Sequence, residues 1–127
     1  MAYVIDNMGL LAPMLNAPRS IAVVAVAWSP WHYQSRALLQ VLESSQEQWS
    51  AGRPVDFYAL WPEKDAELNR WYGDLIREQY PRFELHGHGY APFWWLIKGQ
   101  VVDCLTKPYE TKLAWLQDRS ARAFRAT

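Results

Sequence analysis

The residues best suited to chemistry lie in one short segment, Ser29-Pro30-Trp31-His32. Ser29 and His32 are three positions apart at a predicted helix start, where a serine nucleophile and a histidine base can approach each other. The nearby sequence supplies no acidic residue to orient the histidine. The simpler interpretation is that Ser29 caps the helix by accepting a backbone N–H, and we favour capping over catalysis.

The histidines raise a second hypothesis, a metal site. The chain has three of them, His32, His86 and His88, and three neutral imidazoles are the minimum for an open zinc site. The His-Gly-His spacing lets two rings project to the same side of an extended segment. No carboxylate is fixed beside them in the sequence, and Gly-rich loops often carry solvent-facing histidines. We therefore expect no bound metal, and the sequence indicates no other cofactor.

The single cysteine, Cys104, limits the possible thiol chemistry. One cysteine excludes an internal disulfide, a Cys-rich zinc site and an intramolecular dithiol redox couple. Its neighbours in the Val-Val-Asp-Cys-Leu stretch are mostly apolar, so we expect it to pack as a small hydrophobic side chain.

The overall composition predicts one soluble domain spanning residues 1–127. The chain carries 13 Lys+Arg and 13 Asp+Glu, so its formal net charge is zero. It therefore has no excess of positive charge to attract it to nucleic acid or to an anionic membrane. The longest apolar run, residues 21–28, is far shorter than the roughly 20 residues that span a bilayer. No basic residue precedes Arg19, unlike the layout of a secretory signal. We expect a cytoplasmic protein that binds neither nucleic acid nor membrane.

Aromatic residues are unusually abundant, at 15% of the chain, and include eight Trp. Aromatic rings are enriched in interfaces and ligand clefts as well as in cores. The sequence alone leaves both interpretations open, a Trp-rich core and an aromatic groove that faces a partner.

Hydrophobic patterning predicts strands alternating with helices, followed by an antiparallel hairpin and a last helix. The predicted strands cover residues 3–6, 21–27, 55–61, 93–97 and 100–105, and the predicted helices cover residues 7–15, 30–49, 62–80 and 108–124. Strands connected through helices form parallel crossovers, whereas the hairpin adds antiparallel strands. We therefore expect an α/β fold with a mixed sheet of four to five strands flanked by helices.

This order of elements resembles the thioredoxin family over roughly residues 18–124. A buried strand ends at Ala27-Trp28 and leads through Ser29–His32 into an apolar helix. Downstream, Gly89-Tyr-Ala-Pro92 followed by Phe-Trp-Trp-Leu-Ile-Lys-Gly-Gln-Val-Val looks like the family's cis-proline loop, strand, glycine turn and final strand. The resemblance implies a three-layer sandwich in which the Ala91–Pro92 peptide bond is cis and faces Ser29.

The chain departs from the family at its redox residues. Ser29 and His32 occupy the positions of the two cysteines, and a serine hydroxyl cannot form the mixed disulfide that thiol–disulfide exchange requires. Val23 occupies the buried position where thioredoxins carry a carboxylate. The resemblance therefore implies a thioredoxin-like protein that has no redox activity.

What remains of the family's site is its groove, in which the main chain before the cis-proline pairs with an extended segment. Ala91 would supply that main chain, and aromatic side chains would line the groove. The expected binding residues are Trp28, Ser29, Trp31, His32, Tyr90, Ala91, Pro92 and Phe93. The expected partner is a protein or peptide.

Two alternative functions stay open on the sequence alone. One is an enzyme that uses Ser29 and His32 or a histidine-bound metal. The other is a glutathione-type ligand domain, in which Asp103-Cys104 stands where glutathione transferases carry a Glu-Ser pair.

Overall fold

The structure is a computed structural model that describes residues 3–17, 20–25, 33–79, 92–105 and 113–125. Its first half contains β1 (Tyr3–Ile5), α1 (Met8–Leu15), β2 (Ser20–Ala25), α2 (Tyr33–Ser44), α3 (Gln46–Trp49) and β3 (Asp56–Leu60). Its second half contains a 3₁₀ turn (Pro62–Lys64), α4 (Ala66–Gln79), β4 (Phe93–Ile97), β5 (Gln100–Leu105) and α5 (Leu113–Phe124).

The five strands form one mixed sheet in the order β1-β3-β2-β4-β5. β3 runs parallel to both β1 and β2, whereas β4 runs antiparallel to β2 and to β5. The helical crossovers connect the parallel strands, and the hairpin adds the antiparallel pair β4–β5 at one end of the sheet, as the order of elements predicts.

Both faces of the sheet are buried, because side chains alternate along each strand. On β4, Phe93 and Trp95 belong to one hydrophobic cluster, and Trp94 and Leu96 belong to the other. The first cluster joins the sheet to α2, α3 and α5, and we call this side the α2/α5 face. The second cluster joins the sheet to α1 and α4 and forms the α1/α4 face. The fold therefore has three layers, with the sheet in the middle.

Three tryptophans, Trp49, Trp94 and Trp95, are fully buried, so for them the core interpretation is correct. The Trp49 ring meets Phe57 and Phe93 edge to face, at centroid distances of 5.7 and 5.1 Å. Its indole N–H donates to the Leu42 carbonyl at 2.7 Å, which satisfies the polar atom that its burial would otherwise leave without a partner.

The prediction of one continuous helix up to residue 49 is wrong at Ser45, which separates α2 from α3. The Ser45 hydroxyl donates to the Val41 carbonyl at 2.7 Å, and the Ser44 hydroxyl donates to the same oxygen at 3.1 Å. Side-chain bonds of this kind compete with the helical backbone bonds at that carbonyl. Two adjacent serines therefore mark the break.

The helix predicted from residue 62 is also interrupted near its start. Pro62 begins a 3₁₀ turn rather than the α-helix, and α4 starts after Asp65. The Asp65 carboxylate accepts the Leu68 N–H at 3.0 Å, which is the bond of an N-cap residue. The cap sets the beginning of α4.

The hairpin turn between β4 and β5 is the tight glycine turn that the sequence predicts. Lys98 and Gly99 both have positive φ angles, 52° and 78°, as the favoured two-residue hairpin turns require. A Cβ atom at Gly99 would lie 2.9 Å from the Leu15 carbonyl oxygen, so glycine also permits the close approach of the turn to α1.

Within the ranges that the structure describes, no helix has the length and apolar character needed to cross a membrane.

Candidate binding site

The pairing of β2 with β4 defines the sheet edge at which the predicted groove belongs. Val24 lies opposite Phe93 in this antiparallel pair. The chain leaves β2 at Ala25 and enters β4 at Phe93, so the two strand ends are neighbours. The segment with Ser29 follows the first of these ends, and Pro92 immediately precedes the second. The register thus brings the attachment points of both predicted groove segments to one edge of the sheet.

The carboxyl ends of the other parallel strands meet at the same edge. Leu60 of β3 is level with Ile5 of β1 and with Ala25 of β2. In open α/β sheets, ligands bind outside the carboxyl ends of the parallel strands. We call this side of the sheet the carboxyl edge.

Asp65 anchors two helix starts beside the carboxyl edge. Its Oδ2 atom accepts the Met8 N–H at 3.1 Å as well as the Leu68 N–H, so one carboxylate connects the beginnings of α1 and α4. Asn7 caps α1 through its own side chain, which accepts the Leu10 N–H at 3.0 Å. The backbone around this edge is therefore held by side-chain caps.

Trp61 is an aromatic residue at the carboxyl edge that the sequence pattern predicts only as the last residue of a strand. It directly follows β3, and its backbone N–H donates to the Ile5 carbonyl at 2.9 Å. The Lys64 ammonium lies 5.2 Å from the centroid of the half-buried indole, within the range of a cation–π contact. The signal that could have revealed it is the Trp-Pro pair at the end of a buried strand.

Phe93 does not line a groove with its side chain. The ring is fully buried and packs on the α2/α5 face against Trp49, Phe57 and Trp95. This placement corrects the expectation that Phe93 supplies aromatic surface to a ligand. Pro92, next to it, is half-buried.

The other predicted site residues lie outside the described residues. They are Trp28, Ser29, Trp31, His32, Tyr90 and Ala91, together with the metal candidates His86 and His88. The isomer of the Ala91–Pro92 bond, its distance from Ser29, the Ser29–His32 pair and histidine metal binding therefore stay predictions. Among the residues that the structure does describe, no three His, Cys, Asp or Glu side chains are grouped to hold a metal ion.

Cys104 is buried in the cluster on the α1/α4 face, as predicted for a small hydrophobic side chain. Burial raises the pKa of its thiol well above the ordinary value, and the neighbouring Asp103 charge raises it further, whereas Arg119 lowers it. The thiol is therefore protonated at neutral pH, and a protonated thiol is a poor nucleophile.

The glutathione-type alternative concerns the Asp103-Cys104 pair, and the Asp103 side chain has contacts of its own. Its Oδ1 atom accepts the Cys104 N–H at 2.8 Å and the Arg119 guanidinium at 3.1 Å. Arg119 comes from α5, so this carboxylate oxygen already has two donors within the fold. These contacts give Asp103 a structural role between β5 and α5.

Comparison with solved structures identifies the architecture. A thioredoxin from Malassezia sympodialis superposes with a TM-score of 0.64 at 13% identity, over 97% of this chain and 90% of that one. The fold is thioredoxin-like. A Fasciola hepatica thioredoxin gives a TM-score of 0.59 at 19% identity, covering 93% of this chain and 98% of its own. A Trypanosoma brucei brucei thioredoxin gives 0.61 at 9% identity, covering 100% and 93%.

No protein-family model and no curated protein sequence matches this chain. The sequence identities to these thioredoxins are all low. The similarity therefore establishes the fold, and the activity has to be argued from the residues.

Proposed function

We propose that this thioredoxin-like domain is a redox-inactive module that binds an extended peptide or protein segment between residues 28–32 and 90–92. The observation that carries the proposal is the β2–β4 register. Val24 opposite Phe93 brings the end of β2 and the start of β4 together at the carboxyl edge. Both groove segments are attached to these two strand ends.

Thiol chemistry has little support in this chain. An intramolecular dithiol couple requires two cysteines, whereas the chain contains one. That cysteine is 4% exposed, and burial raises the pKa of its thiol. By the sequence resemblance, Ser29 and His32 correspond to the two cysteines of thioredoxins.

The recognition that remains available is main-chain pairing supported by aromatic contacts. An extended segment that pairs with the main chain at Ala91 gains hydrogen bonds without any contribution from sulfur. Trp28, Trp31 and Tyr90 would add apolar surface to the same groove. The buried ring of Phe93 would fix the start of β4 behind this surface. Since the chain has no net charge, we expect apolar side chains of the partner to determine its affinity.

The binding half of the proposal is tested with a displayed library of random 12-residue peptides selected on the full chain. The tightest selected peptide is then titrated into the wild type and into Trp31→Ala by calorimetry. A groove aromatic at the centre of an interface typically accounts for about 2 kcal/mol or more, so Trp31→Ala should weaken binding by roughly thirtyfold. Ala91→Pro should also weaken binding, because proline removes the N–H that would pair with the peptide.

Tyr3→Ser is the matched control, because Tyr3 is an exposed aromatic on β1, two strands from β2 in the sheet. It should leave the affinity unchanged. If Trp31→Ala and Ala91→Pro fold normally and bind the peptide as tightly as the wild type, the groove is not the binding site.

The proposed absence of redox activity is tested with insulin reduction by dithiothreitol. We expect no rate above the uncatalysed background. Catalysis that persists in Cys104→Ser would contradict the proposal, because no thiol would remain in the chain to carry it.

A further inference from the structure

A pocket of about 450 Å³ lies between the 3₁₀ turn and one side of α4. The turn contributes Pro62 and Glu63, and the helix contributes the other lining residues, so that most of the lining surface is apolar. Pockets that bind small molecules have volumes of about 300–1,000 Å³ and are mostly apolar, with a few polar groups that orient the ligand. None of the lining residues belongs to the proposed peptide groove.

The apolar wall of this pocket is fixed by packing within the fold. Pro62 is buried, and Ile76 packs against the cluster on the α1/α4 face. The Tyr72 ring meets Trp94 edge to face at a centroid distance of 6.2 Å, and its hydroxyl accepts the Trp94 indole N–H at 3.4 Å. These contacts hold the tyrosine ring in place as a surface for the apolar body of a ligand.

Gly73 lies in the middle of α4, where the helix lines the pocket. Glycine in a helix interior is destabilising relative to alanine. Its φ is not positive, and a Cβ atom there would lie 3.7 Å from Arg77 Nη1, which is an ordinary contact. Apart from its chain neighbours, no other described side chain lies within 4 Å of that position. The surrounding fold therefore has room for a side chain, and what the glycine preserves is space in the pocket.

Two arginines lie on the same stripe of α4 as this glycine, three residues before it and four residues after it. Arg70 is exposed, and within the described residues its guanidinium has no ion-pair or hydrogen-bond partner. Arg77 Nη2 pairs with Asp74, whereas Nη1 is the atom nearest to the position of a Gly73 Cβ. A guanidinium presents several N–H donors in one plane, which suits a carboxylate.

We propose that this pocket binds a small organic carboxylate with an apolar or aromatic body. Because Asp74 offsets the charge of Arg77, Arg70 is the principal partner of the carboxylate and Arg77 Nη1 is a second donor. Glu63 is the acidic residue of the lining and is exposed on the 3₁₀ turn. Its charge opposes an anion, so the proposal requires that removing this charge strengthens binding, whereas removing the charge of Arg70 weakens it.

The test titrates 3-phenylpropanoate and its neutral amide, 3-phenylpropanamide, into the isotope-labelled full chain, with NMR shifts at residues 62–77 as the readout. We expect the carboxylate to bind about tenfold more tightly than the amide, and Arg70→Gln to abolish this preference. Glu63→Gln should strengthen carboxylate binding roughly two- to threefold. Arg122→Gln is the matched control, because Arg122 is an exposed arginine on α5 that pairs with Asp118, and it should change nothing.

Two substitutions of Gly73 test whether the glycine keeps the pocket open. Gly73→Ala should not lower the melting temperature, and Gly73→Leu should fill the pocket and abolish the carboxylate shifts. The proposal is overturned if neither probe shifts residues 62–77, if the two probes bind equally, if Glu63→Gln weakens carboxylate binding, or if Gly73→Ala is destabilising. It is also overturned if folded Arg70→Gln or Gly73→Leu binds 3-phenylpropanoate like the wild type. Should Gly73→Leu fail to fold, Arg70→Gln decides alone, because it changes an exposed side chain.

Discussion

Val24 of β2 and Phe93 of β4 lie opposite each other at the carboxyl edge of the sheet, and this pairing organises the candidate site. The Phe93 side chain is fully buried between the sheet and the helices of the α2/α5 face. Its main chain continues directly from Pro92. A core residue therefore fixes the strand from which one side of the proposed groove extends.

The buried Trp95–Ser120 hydrogen bond should contribute measurably to stability. The indole N–H donates to the Ser120 hydroxyl at 2.9 Å, and both residues are fully buried. Ser120→Ala leaves the indole N–H without an acceptor, so we expect unfolding free energy to fall by about 1–3 kcal/mol. Urea denaturation measures this loss. Ser44→Ala, at an exposed site on α2, is the control, and equal losses at the two positions would contradict the prediction.

Asp65 should stabilise two helices at once. Asp65→Ala removes the acceptor for the Leu68 N–H and for the Met8 N–H. Loss of an N-cap alone costs about 0.5–2 kcal/mol, so the total loss of unfolding free energy should reach or exceed the upper part of that range. Asp65→Asn keeps a side-chain oxygen and should cost less. Thermal or urea unfolding gives the comparison with Glu63→Ala, an exposed neighbour in the 3₁₀ turn, which should be nearly neutral.

Stability should decline above pH 9 because of two buried groups. Burial raises the pKa of the Cys104 thiol above its ordinary value of 9.0 and the pKa of the Tyr72 hydroxyl above its ordinary value of 10.0. In alkali the unfolded chain loses these protons first, so it binds fewer protons than the folded chain and unfolding becomes easier. The contribution of these two protonated groups to the unfolding free energy is complete below pH 9. It is lost as the pH rises through their raised pKa values.

The measurement is urea unfolding between pH 7 and pH 10.5. Each group can contribute a slope of at most about 1.4 kcal/mol per pH unit, so Cys104→Ala and Tyr72→Phe should each flatten the decline. Tyr3→Phe, at a 52% exposed ring, is the matched control. An unchanged decline in both Cys104→Ala and Tyr72→Phe would show that other groups cause it.

The sheet could be predicted from the sequence because its signals are local. The run Phe93–Ile97 is apolar at every position, which is typical of a strand covered on both faces, and the Lys98-Gly99 turn supplies the positive φ angles of a hairpin. Such a run does not reveal which rings are enclosed. Its position after the proline loop predicts a groove side chain at Phe93, whereas the structure encloses the ring between the sheet and the helices of the α2/α5 face.

Other features depend on contacts that no local pattern encodes. Asp65 receives the Met8 N–H across 57 positions of sequence, and Arg119 reaches Asp103 across 16. These bonds exist only after the sheet has brought α1 close to α4 and α5 close to β5. The break at Ser45 is local, yet it depends on hydroxyl bonds that compete weakly with helix formation and that hydrophobic periodicity does not detect.

The most direct test of the proposed function is an NMR footprint of the selected 12-residue peptide on the isotope-labelled full chain. We expect amide shifts to change first at residues 26–33 and 89–93 and at the adjoining ends of β2 and β4, with little change at β5. We expect Trp31→Ala to need a roughly thirtyfold higher peptide concentration to reach the same footprint, while Tyr3→Ser titrates like the wild type. A footprint centred on β5, α5 or the outer surface of α4, with residues 26–33 and 89–93 unaffected, would contradict the proposed binding groove.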